Sequence, residues 1–167
     1  MSHTRSTGTA VAVVCLAASL ISCARPSNIV IADAVGPSPA TKAGEERQGQ
    51  LVVYTDSDAN PDPSQAILEH GQGRLGYSVT DLKSGTTVIS IASGQTEPPV
   101  IRLNPGQYRI RAESLAGSEV EAIVRIQSGR ITELYLDGSR SLGDPKLRND
   151  AQIAPDGSFV GWRDSSS

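Results

Sequence analysis

The stretch that decides the fold is residues 100–112, which reads VIRLNPGQYRIRA. From Gln107 onward, aromatic or aliphatic residues alternate with charged ones, which predicts a β-strand with one buried and one solvated face. Residues 104–106, Asn-Pro-Gly, separate this strand from the apolar run before it. We therefore predict two strands joined by a tight turn, in which Gly106 takes a positive φ.

The same alternation returns on both sides of this stretch, between turn residues at fairly even spacing. About seven strands, each with one solvent-exposed face, predict an all-β fold in which two antiparallel sheets pack face to face as a β-sandwich. We place this domain at residues 49–138. The other predicted strands cover residues 50–55, 76–82, 86–91, 119–126 and 131–136.

Residues 100–112, together with residues 126–134 (IQSGRITEL), resemble the second half of the transthyretin-like sandwiches. These include carboxypeptidase regulatory-like domains and PEGA domains, whose hallmark is a Leu-x-Pro-Gly-x-Tyr turn between two strands. The polar insert at residues 56–76 departs from the compact PEGA pattern. The resemblance implies an accessory, non-catalytic module of an exported or surface protein.

Residues 1–22 are predicted to be a lipoprotein signal peptide. After His3 and Arg5, an apolar segment without charge runs to Ile21, and it is too short to span a bilayer comfortably. Residues 20–23, Leu-Ile-Ser-Cys, resemble the lipobox of bacterial lipoproteins. In that family the signal is removed before the cysteine, here Cys23, which carries a diacylglycerol and is usually also acylated, for example with palmitate.

The cysteine content agrees with lipidation at Cys23. The only other cysteine, Cys15, lies inside the predicted signal peptide, so the exported chain has no partner for an internal disulfide. The alternative is an ordinary cleaved signal that happens to precede a cysteine. Ala24 is not the aspartate that marks retention in the inner membrane of some bacteria, so we expect an outer-membrane location.

Two segments flank the predicted domain. Residues 23–48 are rich in proline, glycine and serine and predict a disordered tether, in which the apolar island at residues 28–31 is a spacer. Residues 139–167 predict a tail with a short hairpin that holds Phe159 and Trp162. These two rings either cover an edge of the sandwich or form an exposed patch for a protein or a sugar.

The residue inventory argues against an enzyme and predicts no cofactor. His70 is the only histidine outside the signal peptide, so neither a serine nor a cysteine triad has local support. Residues 71–76 spell G-x-G-x-x-G but precede a predicted strand instead of opening a helix, which defeats a dinucleotide site. Without any basic run, nucleic acid is not an expected partner.

The acidic insert offers one candidate metal site. Asp56, Asp58, Asn60 and Asp62 place oxygen ligands at alternate positions, as calcium prefers. Pro61 stands where a calcium loop needs its turning glycine, so a solvated loop is the alternative interpretation.

Taken together, these patterns predict a lipid-anchored β-sandwich of the cell envelope with a binding or structural role. Its expected partner is another envelope protein, met through an exposed edge strand or the tail aromatics. The alternative is a surface lipoprotein that binds carbohydrate, such as an envelope polysaccharide, with Phe159 and Trp162 stacked on a sugar ring.

Overall fold

A computed structural model describes residues 29–31, 33–44, 47–56, 73–113, 118–137 and 149–164. Throughout these ranges the regular secondary structure is entirely β. The strands are β1 (Ile29–Val30), β2 (Val35–Gly36), β3 (Gly49–Tyr54), β4 (Tyr77–Asp81), β5 (Thr87–Ile91), β6 (Ile101–Leu103), β7 (Gly106–Glu113), β8 (Glu119–Ile126), β9 (Ile131–Tyr135), β10 (Ala151–Ile153) and β11 (Phe159–Arg163).

The strands form two sheets, which confirms the predicted β-sandwich. The larger sheet has the order β10-β11-β2-β8-β7-β4-β5, with β1 also paired to β8, and the smaller sheet has the order β6-β3-β9. The prediction of wholly antiparallel sheets is wrong, because β1 and β2 pair with β8, and β3 with β9, in parallel. Hairpins cannot join parallel strands, so local sequence patterns do not reveal these pairings.

The main core lies between the two sheets and follows the predicted alternation. On β7 and β8, every second residue is buried: Tyr108, Ile110 and Ala112 on one strand, and Ala122, Val124 and Ile126 on the other. Across this core the smaller sheet contributes Leu51, Val53 and Leu134, whose side chains are fully buried.

Three turn glycines have the backbone that tight hairpins require. Gly85, Gly129 and Gly157 have φ values of 70°, 63° and 86°, a region that other residues rarely adopt. The prediction for Gly106 is wrong, because it belongs to extended β7 and its φ is not positive. The hydroxyl of Tyr108 closes that turn instead, donating a hydrogen bond to the carbonyl oxygen of Asn104 at 2.8 Å.

The structure overturns the disordered-tether prediction for residues 29–44. This segment runs beside β8 and then along the β8–β9 turn, and its Val35 is fully buried in the main core. Residues 23–28 lie outside the described part of the chain. Backbone N–H groups of the segment donate to carbonyl oxygens of the body: Ile31 to Glu121 (3.0 Å), Ser38 to Ile131 (3.1 Å) and Ala43 to Gly129 (2.9 Å).

The predicted C-terminal hairpin exists, but it is part of the body and not a tail. β10 and β11 pair in antiparallel fashion, and β11 continues the larger sheet by pairing with β2 through Trp162 and Gly36. Val160 of β11 is buried in the main core. The packed body therefore extends well beyond both ends of the predicted domain at residues 49–138.

Gly161 is where β11 fits tightly against the body. A Cβ atom at this position would collide with the side chain of Val35 and lie 3.0 Å from the carbonyl oxygen of Glu133. At Gly106 the nearest atom to an added Cβ belongs to Tyr108, at 3.6 Å, which is an ordinary contact.

We expect Gly161→Ala to lower the free energy of unfolding by about 1–3 kcal/mol, because β2 or β9 must move to admit a methyl group. The matched control Gly106→Ala should change it by less than about 0.5 kcal/mol. Urea denaturation of the two variants measures the difference. Equal stabilities would contradict the packing of β11 against β2 and β9.

Candidate functional site

Most residues of the predicted polar sites lie outside the described ranges. These are Cys23, His70, Asp58, Asn60 and Asp62. Asp56 is described, and its carbonyl oxygen accepts a hydrogen bond from the Leu75 N–H at 2.8 Å. The described residues contain no group of three or more metal-ligating side chains. Lipidation and calcium binding therefore stay predictions.

In the glycine-rich segment before β4, the backbone at residues 73–74 lies very close to the backbone at residues 94–95. Arg74 forms an antiparallel bridge with Gln95, and a Cβ atom on Gly73 would collide with the backbone of Gly94. Directly after Gly76 the chain enters strand β4, so no helix is placed there to hold a phosphate. Gly73 and Gly76 therefore allow close packing of the backbone.

Phe159 and Trp162 are buried, with exposed fractions of 1% and 8%. They belong to an aromatic row that crosses from β3 to β11. The ring centroids are 4.5 Å apart for Tyr54 and Tyr135, 5.6 Å for Tyr135 and Phe159, and 5.5 Å for Phe159 and Trp162. This burial removes the flat exposed platform on which a sugar ring would stack, and the two rings cover an edge of the sandwich.

A cleft of about 550 Å³ lies beside the edge of Trp162. Its charged groups do not favour one class of ligand, because residues of both signs line it. Arg130 and Arg163 lie there together with Asp150 and Asp164, and Asp164 is ion-paired with Arg125. The cleft is lined by Pro37, Ser38, Pro39, Gln127, Arg130, Asn149, Asp150, Trp162, Arg163 and Asp164.

Strand β5 is the longest unpaired edge of the larger sheet. It ends the larger sheet and pairs only with β4. The terminal strands β6 and β10 have three residues each, whereas β5 has five. Strand β9, which ends the smaller sheet, also has five residues, but it contacts β11, and its Ile131 carbonyl oxygen accepts a hydrogen bond from the Ser38 N–H at 3.1 Å. Residues 84–96 contain no charged side chain, and Val88 is 45% exposed. The pairing with β4 is irregular at Val88, which has no direct partner, and regular from Ile89 to Ile91.

A second, more apolar cleft of about 210 Å³ lies where the N-terminal segment joins the body. Ile31 and Val120 line it, so it lies where β1 meets the start of β8. Two exposed apolar residues are next to its lining residues in sequence: Val30, 60% exposed, and Ile153, 37% exposed. Sequence patterns did not indicate this cleft, because its walls come from four separate segments.

Comparison with family models, with curated protein sequences and with solved structures found no match to this chain. The resemblance to transthyretin-like sandwiches therefore stays a prediction. Within the described ranges there is no helix with the length and hydropathy that crossing a membrane requires.

Tyr77 is the clearest titratable group in the core of the larger sheet. Its side chain is 5% exposed, and its hydroxyl has no hydrogen-bond partner among the described residues. Burial raises the pKa of Tyr77 to about 12, from an ordinary value of about 10. The folded state therefore favours the neutral phenol more strongly than the unfolded state does.

We expect the contribution of Tyr77 to stability to be complete below about pH 10 and to be lost as the pH rises to about 12. Burial also raises the pKa of Tyr108, so the comparison with Tyr77→Phe isolates Tyr77. The variant should lose part of the alkaline decline in the free energy of unfolding, measured by urea denaturation between these pH values. The same decline in both chains would contradict this prediction.

Proposed function

We propose that this protein is a lipid-anchored β-sandwich of the bacterial outer membrane that binds another envelope protein without catalysis. The anchor is the lipidated Cys23, and the binding site is the free edge of β5. The exposed, uncharged edge strand is the observation that carries the binding part of the proposal.

The anchor is supported by the sequence and by where the body begins. The lipobox-like residues 20–23 provide a cysteine with no second cysteine in the exported chain. Ile29, the first described residue, already pairs with Val120 of the sheet. Two or more acyl chains would hold such a body stably on a membrane, whereas one would hold it only marginally.

The edge of β5 supports a protein partner because free strand edges are normally protected. Charged residues, prolines or short length usually keep such edges from pairing with other chains. Here residues 84–96 have no charge and no proline, and the irregularity at Val88 is the one protective feature of the strand. An extended segment of a partner can add beside Ile89–Ile91 through backbone hydrogen bonds.

The same features describe the partner segment. Thr87, Ile89 and Ile91 are β-branched and uncharged, so a matching strand should carry few charges and small or β-branched side chains. The burial of Phe159 and Trp162 leaves the carbohydrate alternative without its stacking surface, and we do not propose it.

The anchor is tested by Cys23→Ser. We expect the parent to remain with the membrane fraction and to show the added mass of a lipid at its first residue, and the variant to lose both. Fractionation and intact-mass spectrometry measure the two properties. A variant that stays in the membrane fraction with the same added mass as the parent would contradict the proposed anchor.

The edge is tested by Val88→Lys, with Val100→Lys as the matched control. Both valines are exposed, at 45% and 60%, but only Val88 lies on the β5 edge. A lysine on the edge strand should weaken a β-addition complex. In pull-downs from solubilised membranes, a specific partner should be retained by the parent and by Val100→Lys and lost by Val88→Lys. Equal retention by both variants would exclude the β5 edge as the binding site.

A further inference from the structure

The described body begins close to the proposed anchor in sequence. Only residues 24–28 separate Cys23 from Ile29, so the two Cα atoms can be at most about 20 Å apart. A domain of this size is about 35 Å across. The disordered tether predicted for residues 23–48 would have allowed much more freedom. If Cys23 is lipidated, the start of β1 must therefore stay near the membrane surface.

The surface around the start of β1 has an apolar character. Val30 is 60% exposed, although its neighbour Ile31 is buried in the core. The cleft beside it contains Ile31, Val120 and Leu136 from the N-terminal segment, β8 and the end of β9. Ala154 lines the same cleft, and the adjacent Ile153 is 37% exposed.

The charges near this end largely compensate one another. Arg109 pairs with Glu121 at 2.9 Å, and Arg111 pairs with Glu121 at 3.2 Å and with Glu119 at 3.7 Å. Two exposed carboxylates remain nearby, those of Asp33 and Asp156. The described residues around this end therefore carry no cationic excess that would select anionic lipids, and contact of this surface with a bilayer would come from its apolar groups and from the anchor.

We propose that the β1 end of the sandwich, marked by Val30 and Ile153, rests against the headgroup region of the bilayer that holds the lipid. This inference rests on the proposed lipidation of Cys23. Strand β5 is four strand positions from β1 across β8, β7 and β4, or about 19 Å at the usual strand spacing. The free edge of β5 then stands away from the membrane, where a partner can reach it.

The test uses the lipidated full-length protein, purified in detergent and reconstituted into phosphatidylcholine vesicles. Since the sulfur of Cys23 is joined to diacylglycerol in the lipidated protein and Cys15 leaves with the signal peptide, one introduced cysteine is the only free thiol. The variants are Val30→Cys, Ile153→Cys and, as the control on the distant edge, Val88→Cys. All three positions are exposed. Each is labelled with a nitrobenzoxadiazole fluorophore, and the vesicles contain headgroup spin-labelled lipids as quenchers.

We expect quenching at positions 30 and 153 to be at least about twofold greater than at position 88, because apolar surface settles at the headgroup boundary. Equal quenching at the three positions, or stronger quenching at position 88, overturns the inference. Intact-mass measurement and flotation with the vesicles are carried out on the same samples. A protein without the lipid mass that fails to float overturns the proposed anchor itself, whereas a lipidated, floating protein with equal quenching overturns only the orientation.

Discussion

The pairing of β7 with β8 is the interaction on which the rest of the structure depends. It runs without a break from Gly106 opposite Ile126 to Glu113 opposite Glu119, and it sets the face on which every second side chain is buried. A shift of one residue would move the apolar set of a strand to the solvent face. β4 pairs with the outer side of β7, and β1 and β2 pair with β8, so this register places both edges of the larger sheet.

The two ends of the described chain complete the core on the β8 side. Val35 and Val160 are buried there, and Gly161 allows β11 to approach Val35 and the backbone of β9. The aromatic row from Tyr54 to Trp162 covers the outer side of this junction. Because the chain ends cover the β8 side in this way, β5 is left as the long unpaired edge of the larger sheet. The distribution of covered and uncovered edges therefore separates the side of the proposed anchor from the proposed binding side.

Local periodicity predicted the strands well, because alternation along β7 and β8 depends only on which face is buried. It could not predict partners that are distant in sequence. The sequence predicts a tether at residues 29–44 because the contacts of this segment with β8 and the β8–β9 turn are made mostly by backbone groups, which leave no apolar period. For the candidate sites, the lipobox-like pattern of residues 20–23 can be seen in the sequence because it is local. The edge position of β5 depends on topology and was not predicted. The sequence left open whether Trp162 covers an edge or is exposed, and the topology decides for burial.

An uncharged edge strand raises the question of how one partner register would be selected. Backbone pairing alone is tolerant of shifts, and Thr87, Ser90 and the isoleucines of β5 provide no charge to fix the alignment. The irregularity at Val88 would end the pairing with a partner strand. Such a strand can form a regular ladder along Ile89–Ile91 but cannot continue it past the bulged residue. At its other end, β5 stops at Ile91. The short regular segment between these two features would therefore fix the register by its length, and a longer, unbroken edge would lack that selectivity.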